Sequence, residues 1–147
     1  MALRELEYQG RVLARLDDYL TELANQKTDA DEVEQLLKER PNLRLQVPDF
    51  AANAWEALRA GGKLPEARAD IPYWPRQDGA GRSVPNVVFK VPTGGGKTFL
   101  AVAALSKIFG RYLGRQTGFV LWIVPNEAIY SQTKKQLSDR QHPFRQM

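Results

Sequence analysis

Three consecutive glycines, Gly94-Gly95-Gly96, stand between a short β-branched run, Val87-Val88-Phe89-Lys90-Val91, and a stretch of helical character from Lys97 to about Leu113. Few chemistries need that arrangement. Residues without a Cβ let other atoms come close to the backbone and adopt positive φ without cost. A loop that opens a helix turns free N–H groups and the positive end of the helix dipole toward an anion. Lys97 sits at the helix start, where its ammonium reaches the β- and γ-phosphates of a nucleotide, and Thr98 offers a hydroxyl to a Mg²⁺ bridging the same oxygens. Thr93, Gly94, Gly95, Gly96, Lys97 and Thr98 are therefore the candidate nucleotide-binding residues, with Lys97 and Thr98 also carrying the chemistry. The alternative is a flexible turn before an ordinary helix; the apolar run before it, the helix after it and the Gly-Lys-Thr order stand against that. One departure is visible: the general pattern places glycine five positions before Gly96, and Val91 is there.

A second apolar run, Phe119-Val120-Leu121-Trp122-Ile123-Val124, ends at Pro125 and leads into a helical pattern from Asn126 to about Arg140. Strand, helix, strand, helix predicts an α/β fold: an incomplete parallel sheet of the nucleotide-loop (RecA-like) kind with covering helices. Upstream, Leu6, Leu13, Leu16, Leu20 and Leu23 share one face of a helix ending near Ala24. Asp29 and Glu32 have capping-box spacing and predict a second helix that Pro41 ends, and Asp49 opens a third that stops at Gly61-Gly62. From Lys63 to Pro85 the chain loses periodicity and reads as an irregular connection, with Tyr73 and Trp74 placed to pin it to a core. The organisation is thus a helical segment over 1–62, a connection over 63–85 and the glycine-loop region over 86–147.

Composition narrows the chemistry. The 147 residues include no cysteine and a single histidine, His142, which removes disulfides, thiolate chemistry and histidine-based zinc clusters. No apolar run approaches the ~20 residues that span a bilayer, and the N-terminus is too charged for a signal peptide, so a cytoplasmic location is expected. A net charge of +4 permits a polyanionic partner without requiring one.

A Pro-Thr-Gly-x-Gly-Lys-Thr loop with an apolar residue at the Val91 position resembles motif I of the superfamily 2 helicases. Pro125-Asn126-Glu127-Ala128-Ile129-Tyr130-Ser131-Gln132 resembles their motif Ia, which touches the sugar-phosphate backbone of a nucleic-acid strand. Asn126 and Ser131 at a helix start, with Lys134 and Lys135 following, are groups that suit phosphate, although an N-cap and a solvated face would use the same residues. Leu6-Glu7-Tyr8-Gln9-Gly10-Arg11-Val12 resembles the adenine-reading Q motif. An amide such as Gln9 matches the N6 and N7 edge of adenine, and Tyr8 could stack on the base; as ordinary residues of a helix start, both would need no ligand.

Together these segments resemble the N-terminal end of the restriction (Res) subunit of type III restriction enzymes. The resemblance implies an ATP- and Mg²⁺-dependent DNA motor partnered by a modification methyltransferase and followed by a nuclease domain. Hydrolysis in that class also needs a carboxylate pair after a later strand and an arginine from a second domain, and neither follows Pro125. The chain is therefore expected to be a front end that binds ATP without turning it over. An inactive remnant, or a nucleotide-binding protein of another class such as a kinase, are the alternatives.

Overall fold

The computed structural model describes residues 5–145. Its elements are helices: α1 (Glu7–Glu39), α2 (Phe50–Ala60), the single turn α3 (Glu66–Ala69), α4 (Lys97–Lys107), continued by a π-helical turn at Ile108–Tyr112, and α5 (Glu127–Ser138), followed by a 3₁₀ turn at Pro143–Arg145. The described residues gather into two compact units, one from residues 5–14 with 90–145 and one from Arg15–Phe89.

The expected α/β fold is not what the chain adopts. Neither 87–91 nor 119–124 forms a strand, and an isolated β-bridge, Gln77 with Ser83, closes a local turn. An apolar β-branched run specifies burial, whereas a strand exists only when a neighbouring backbone completes its hydrogen bonds, and parallel pairing needs layers on both faces. Here Val88 is 86% exposed, Phe119 90%, Leu121 72% and Ile123 83%, so at least one face of each run has no layer to cover it. The fold is helical and no parallel sheet is present among the described residues.

The two N-terminal helices expected before Pro41 are one. No glycine or proline interrupts the chain between Gly10 and Pro41, and Thr28 bonds its hydroxyl back to the Ala24 carbonyl at 3.0 Å instead of ending a helix. Pairs at i,i+4 run along its surface, Lys27 with Asp31 at 2.7 Å and Lys38 with Glu34 at 2.9 Å. The capping-box spacing of Asp29 and Glu32 lies within the continuous helix and caps nothing.

In the Arg15–Phe89 unit, Leu16, Tyr19, Leu20, Leu23 and Ala30 of α1 and Ala51, Ala54 and Leu58 of α2 are buried. Asp49 caps α2, its carboxylate accepting from the Ala52 N–H at 3.0 Å, and Gly61 closes it where expected. Lys63 reaches Asp18 of α1 at 3.0 Å. The irregular connection is held at Tyr73, whose ring lies 6.1 Å from that of Trp55 and whose hydroxyl accepts from Asn86 Nδ2 at 2.9 Å. Trp74 is 72% exposed and does not share that role. Burial, then the charge of Asp49, raises the Tyr73 pKa above its ordinary value. The turn at Asp78–Arg82 is closed by the Asp78 carboxylate, which accepts from the Arg82 and Ala80 N–H groups at 3.0 and 2.9 Å; these bonds hold its pKa below the usual value.

The other unit is organised around the first turns of α1 and the helix α4. Leu13, Leu100 and Ala103 form its buried cluster, with Val12, Val91 and Phe99 packed against them. That contact sets the glycine loop beside Tyr8 and Gln9.

Candidate nucleotide site

The loop owes its shape to its three glycines, each for a different reason. Gly94 has φ +78 and Gly96 φ +71, the left-handed region that other residues enter only at a cost of roughly 1–2 kcal/mol. Gly95 lies between them, and a Cβ there would stand 2.7 Å from Val91 Cγ1 and 2.9 Å from the Pro92 carbonyl oxygen. Backbone is one of those neighbours, so no side chain fits at Gly95. Val91, the departure from the general pattern, therefore has a structural role: it packs with the Leu13 and Leu100 cluster and closes the space above Gly95.

Helix α4 opens on Gly96 with no side-chain cap, in contrast to α2 and to α5, which are capped by Asp49 and Asn126. Its first turn carries Lys97 and Thr98. Lys97 is exposed and folds back over the loop, its ammonium donating to the Pro92 carbonyl at 3.0 Å, while Thr98 is half-buried. The Gly95 N–H donates to the same Pro92 carbonyl at 3.0 Å, which closes the turn. Thr93 and Gly94 are exposed on its outer side. A loop that admits no Cβ at Gly95, an uncapped helix start and an exposed ammonium at its lip suit the phosphates of a nucleotide, and a hydroxyl on the first turn suits the Mg²⁺ that accompanies them. Among the described residues no group of three or more His, Cys, Asp or Glu could hold a metal on its own.

Tyr8 and Gln9 meet this loop across most of the intervening sequence. The Gln9 side chain is buried, 5% exposed; its Nε2 donates to the Gly95 carbonyl at 3.2 Å and its Oε1 accepts from the Leu6 N–H at 2.9 Å. The Tyr8 hydroxyl donates to that same carbonyl and accepts from Gln9 Nε2 at 3.3 Å. Nothing in the sequence signalled a carbonyl of the loop as their shared partner; only the Q-motif likeness drew them into the site.

The four residues considered for nucleic-acid contact all lie at α5. Asn126 Oδ1 accepts from the Ile129 N–H at 3.0 Å and caps the helix, and Ser131 donates to Glu127 Oε1 at 3.3 Å. Both polar side chains are thus engaged within the helix. Lys134 and Lys135 are exposed, with Lys134 Nζ 5.6 Å from the centre of the Tyr130 ring.

Residues 15–146 match the family described as type III restriction enzyme, res subunit. The chain belongs to the type III restriction enzyme res subunit family. This helicase-like family is typically dependent on ATP and Mg²⁺ and works with DNA and a methyltransferase partner. The match covers the glycine loop, α4 and α5, and it begins after Tyr8 and Gln9. No curated protein and no solved structure matches the chain. No helix among the described residues is long and apolar enough to cross a membrane.

Proposed function

We propose that this res-family chain binds ATP with Mg²⁺ over Gly94–Thr98 as the nucleotide-binding part of a DNA-translocating restriction enzyme. The observation that carries the reading is the loop itself: left-handed glycines on both sides of a Gly95 that admits no Cβ, opening an uncapped α4 with Lys97 in its first turn. Lys97 would exchange the Pro92 carbonyl for phosphate oxygens, and the Thr98 hydroxyl would hold Mg²⁺. When bound, that ion neutralises charge on the phosphate oxygens and orients them. Lys134 and Lys135 would meet a DNA backbone, contributing a weak, salt-sensitive contact. Asn126 and Ser131 could join them only by giving up their present bonds within α5.

Calorimetric titration with Mg·ATP tests the reading. Binding to the wild-type chain should saturate at one site, and Lys97→Ala should abolish it by removing the cation that meets the phosphates. Unchanged affinity in Lys97→Ala would refute the assignment.

A further inference from the structure

We propose that Tyr8 and Gln9 are positioning residues for the phosphate site: by holding the Gly95 carbonyl they turn the Gly96 N–H toward a bound phosphate. The proposal rests on the phosphate reading of Gly94–Thr98 and gives it a mechanism of preorganisation.

A trans peptide is planar, with its C=O and the following N–H on opposite sides. The Gly95 carbonyl receives the Tyr8 hydroxyl and Gln9 Nε2, which occupies both of its lone pairs and fixes it toward α1. The Gly96 N–H, on the same peptide, must therefore point away from α1. This peptide joins two glycines, so no side chain restrains its rotation, whereas the Gly94–Gly95 peptide is already held by the Gly95 N–H bond to the Pro92 carbonyl. A freely flipping peptide would present its carbonyl to an anion for part of the time. The double anchor excludes that state before ligand arrives, and a preorganised donor binds without the cost of ordering it.

The anchor is itself anchored. Gln9 Nε2 donates toward the adjacent Gly95 O and Tyr8 Oη, and Oε1 is held by the Leu6 N–H at 2.9 Å, so the buried amide is oriented from both ends. So engaged, the Gln9 amide is directed at the loop rather than at a base edge. Its effect on nucleotide binding is then transmitted through the phosphates, and it is independent of which base the nucleotide carries.

The experiment titrates the full chain with Mg²⁺ and, separately, tripolyphosphate, ATP and GTP, in wild type, Tyr8→Phe and Gln9→Ala, with circular dichroism confirming the fold. Tyr8→Phe removes one of the two anchors and should weaken all three ligands by the same factor, about 3–10-fold, the worth of one hydrogen bond. In the ligand-free chain the Gly96 amide resonance of Tyr8→Phe should move while those of α5 stay. Gln9→Ala should weaken all three ligands further. If Gln9→Ala does not fold, Tyr8→Phe, which loses a single hydroxyl, decides alone. A loss confined to ATP would overturn the proposal in favour of base contact, and unchanged tripolyphosphate affinity would overturn it outright. Failure of the wild type to bind tripolyphosphate, or wild-type binding by Lys97→Ala, would instead refute the phosphate reading on which the proposal stands.

Discussion

Replacing Gly96 by alanine tests the loop and its link to α1 together. The substitution places a Cβ in the left-handed region, at φ +71, and 2.5 Å from Gln9 Nε2. The backbone cost is roughly 1–2 kcal/mol. Gln9 can swing aside, so the overlap itself is relieved cheaply, but its amide then leaves the Gly95 carbonyl; breaking a buried hydrogen bond of this kind costs about 1–3 kcal/mol. Gly96→Ala should therefore destabilise the chain by about 2–5 kcal/mol, a large part of a typical folding free energy of ~5–15 kcal/mol. Gly94→Ala is the control: φ there is +78, yet nothing lies within 4 Å of the added Cβ, so only the backbone cost applies. In urea unfolding followed by circular dichroism, with an m-value of about 2 kcal/mol/M, the midpoint of Gly96→Ala should fall below that of Gly94→Ala by about 0.5–1.5 M. In a Gln9→Ala background the two glycine substitutions should cost the same. Equal midpoints for Gly94→Ala and Gly96→Ala in the wild-type background, or a Gly96→Ala cost that Gln9→Ala leaves unchanged, would refute the packing of Gln9 on the loop.

Four further expectations follow from separate parts of the molecule. Asp29→Ala should leave stability unchanged or raise it by up to about 0.7 kcal/mol, since alanine is the better residue inside a continuous helix; a loss near 1 kcal/mol in urea unfolding would mean that Asp29 caps a second helix after all. Lys134→Ala and Lys135→Ala should each flatten the salt dependence of DNA binding by about 0.9 in log–log slope, measured by fluorescence anisotropy, for every phosphate contact removed; an unchanged slope would place DNA elsewhere. Tyr73, with its pKa raised by burial, should contribute stability that is whole below about pH 10 and lost as pH rises through its folded value, and Tyr73→Phe should remove that alkaline loss. Asp78, held low by its bonds to Arg82 and Ala80, acts oppositely: its contribution is whole above its ordinary value of 3.8 and lost as pH falls below it, so Asp78→Asn should flatten the acid limb.

Features written in local chemistry were legible in the sequence. Gly94 and Gly96 adopt the positive φ that a close-approach loop needs, α4 starts at Lys97, and the Asp49 and Asn126 caps and the stop at Gly61 stand where residue preferences put them. Features that depend on distant partners were not. Val87–Val91 and Phe119–Val124 have strand composition, but pairing is supplied by a neighbouring backbone, which composition does not encode, and Val88, Phe119 and Ile123 remain uncovered. The Asp29 and Glu32 spacing misled because a capping box has force only where the helix is already interrupted, and nothing between Gly10 and Pro41 interrupts it. Gln9 shows both sides of this. Its nearness to the loop could be anticipated from the Q-motif likeness, but its partner, the Gly95 carbonyl, lies 86 residues away and became visible only with the fold.

The backbone amides of the loop give the most direct test of nucleotide binding at Gly94–Thr98. In a ¹⁵N–¹H titration of the full chain with Mg·ATP, the resonances of Gly94, Gly95, Gly96, Lys97 and Thr98 should shift first and furthest, saturate together, and stay fixed in Lys97→Ala. Saturable shifts elsewhere in the chain, with those five amides unmoved, would contradict the account.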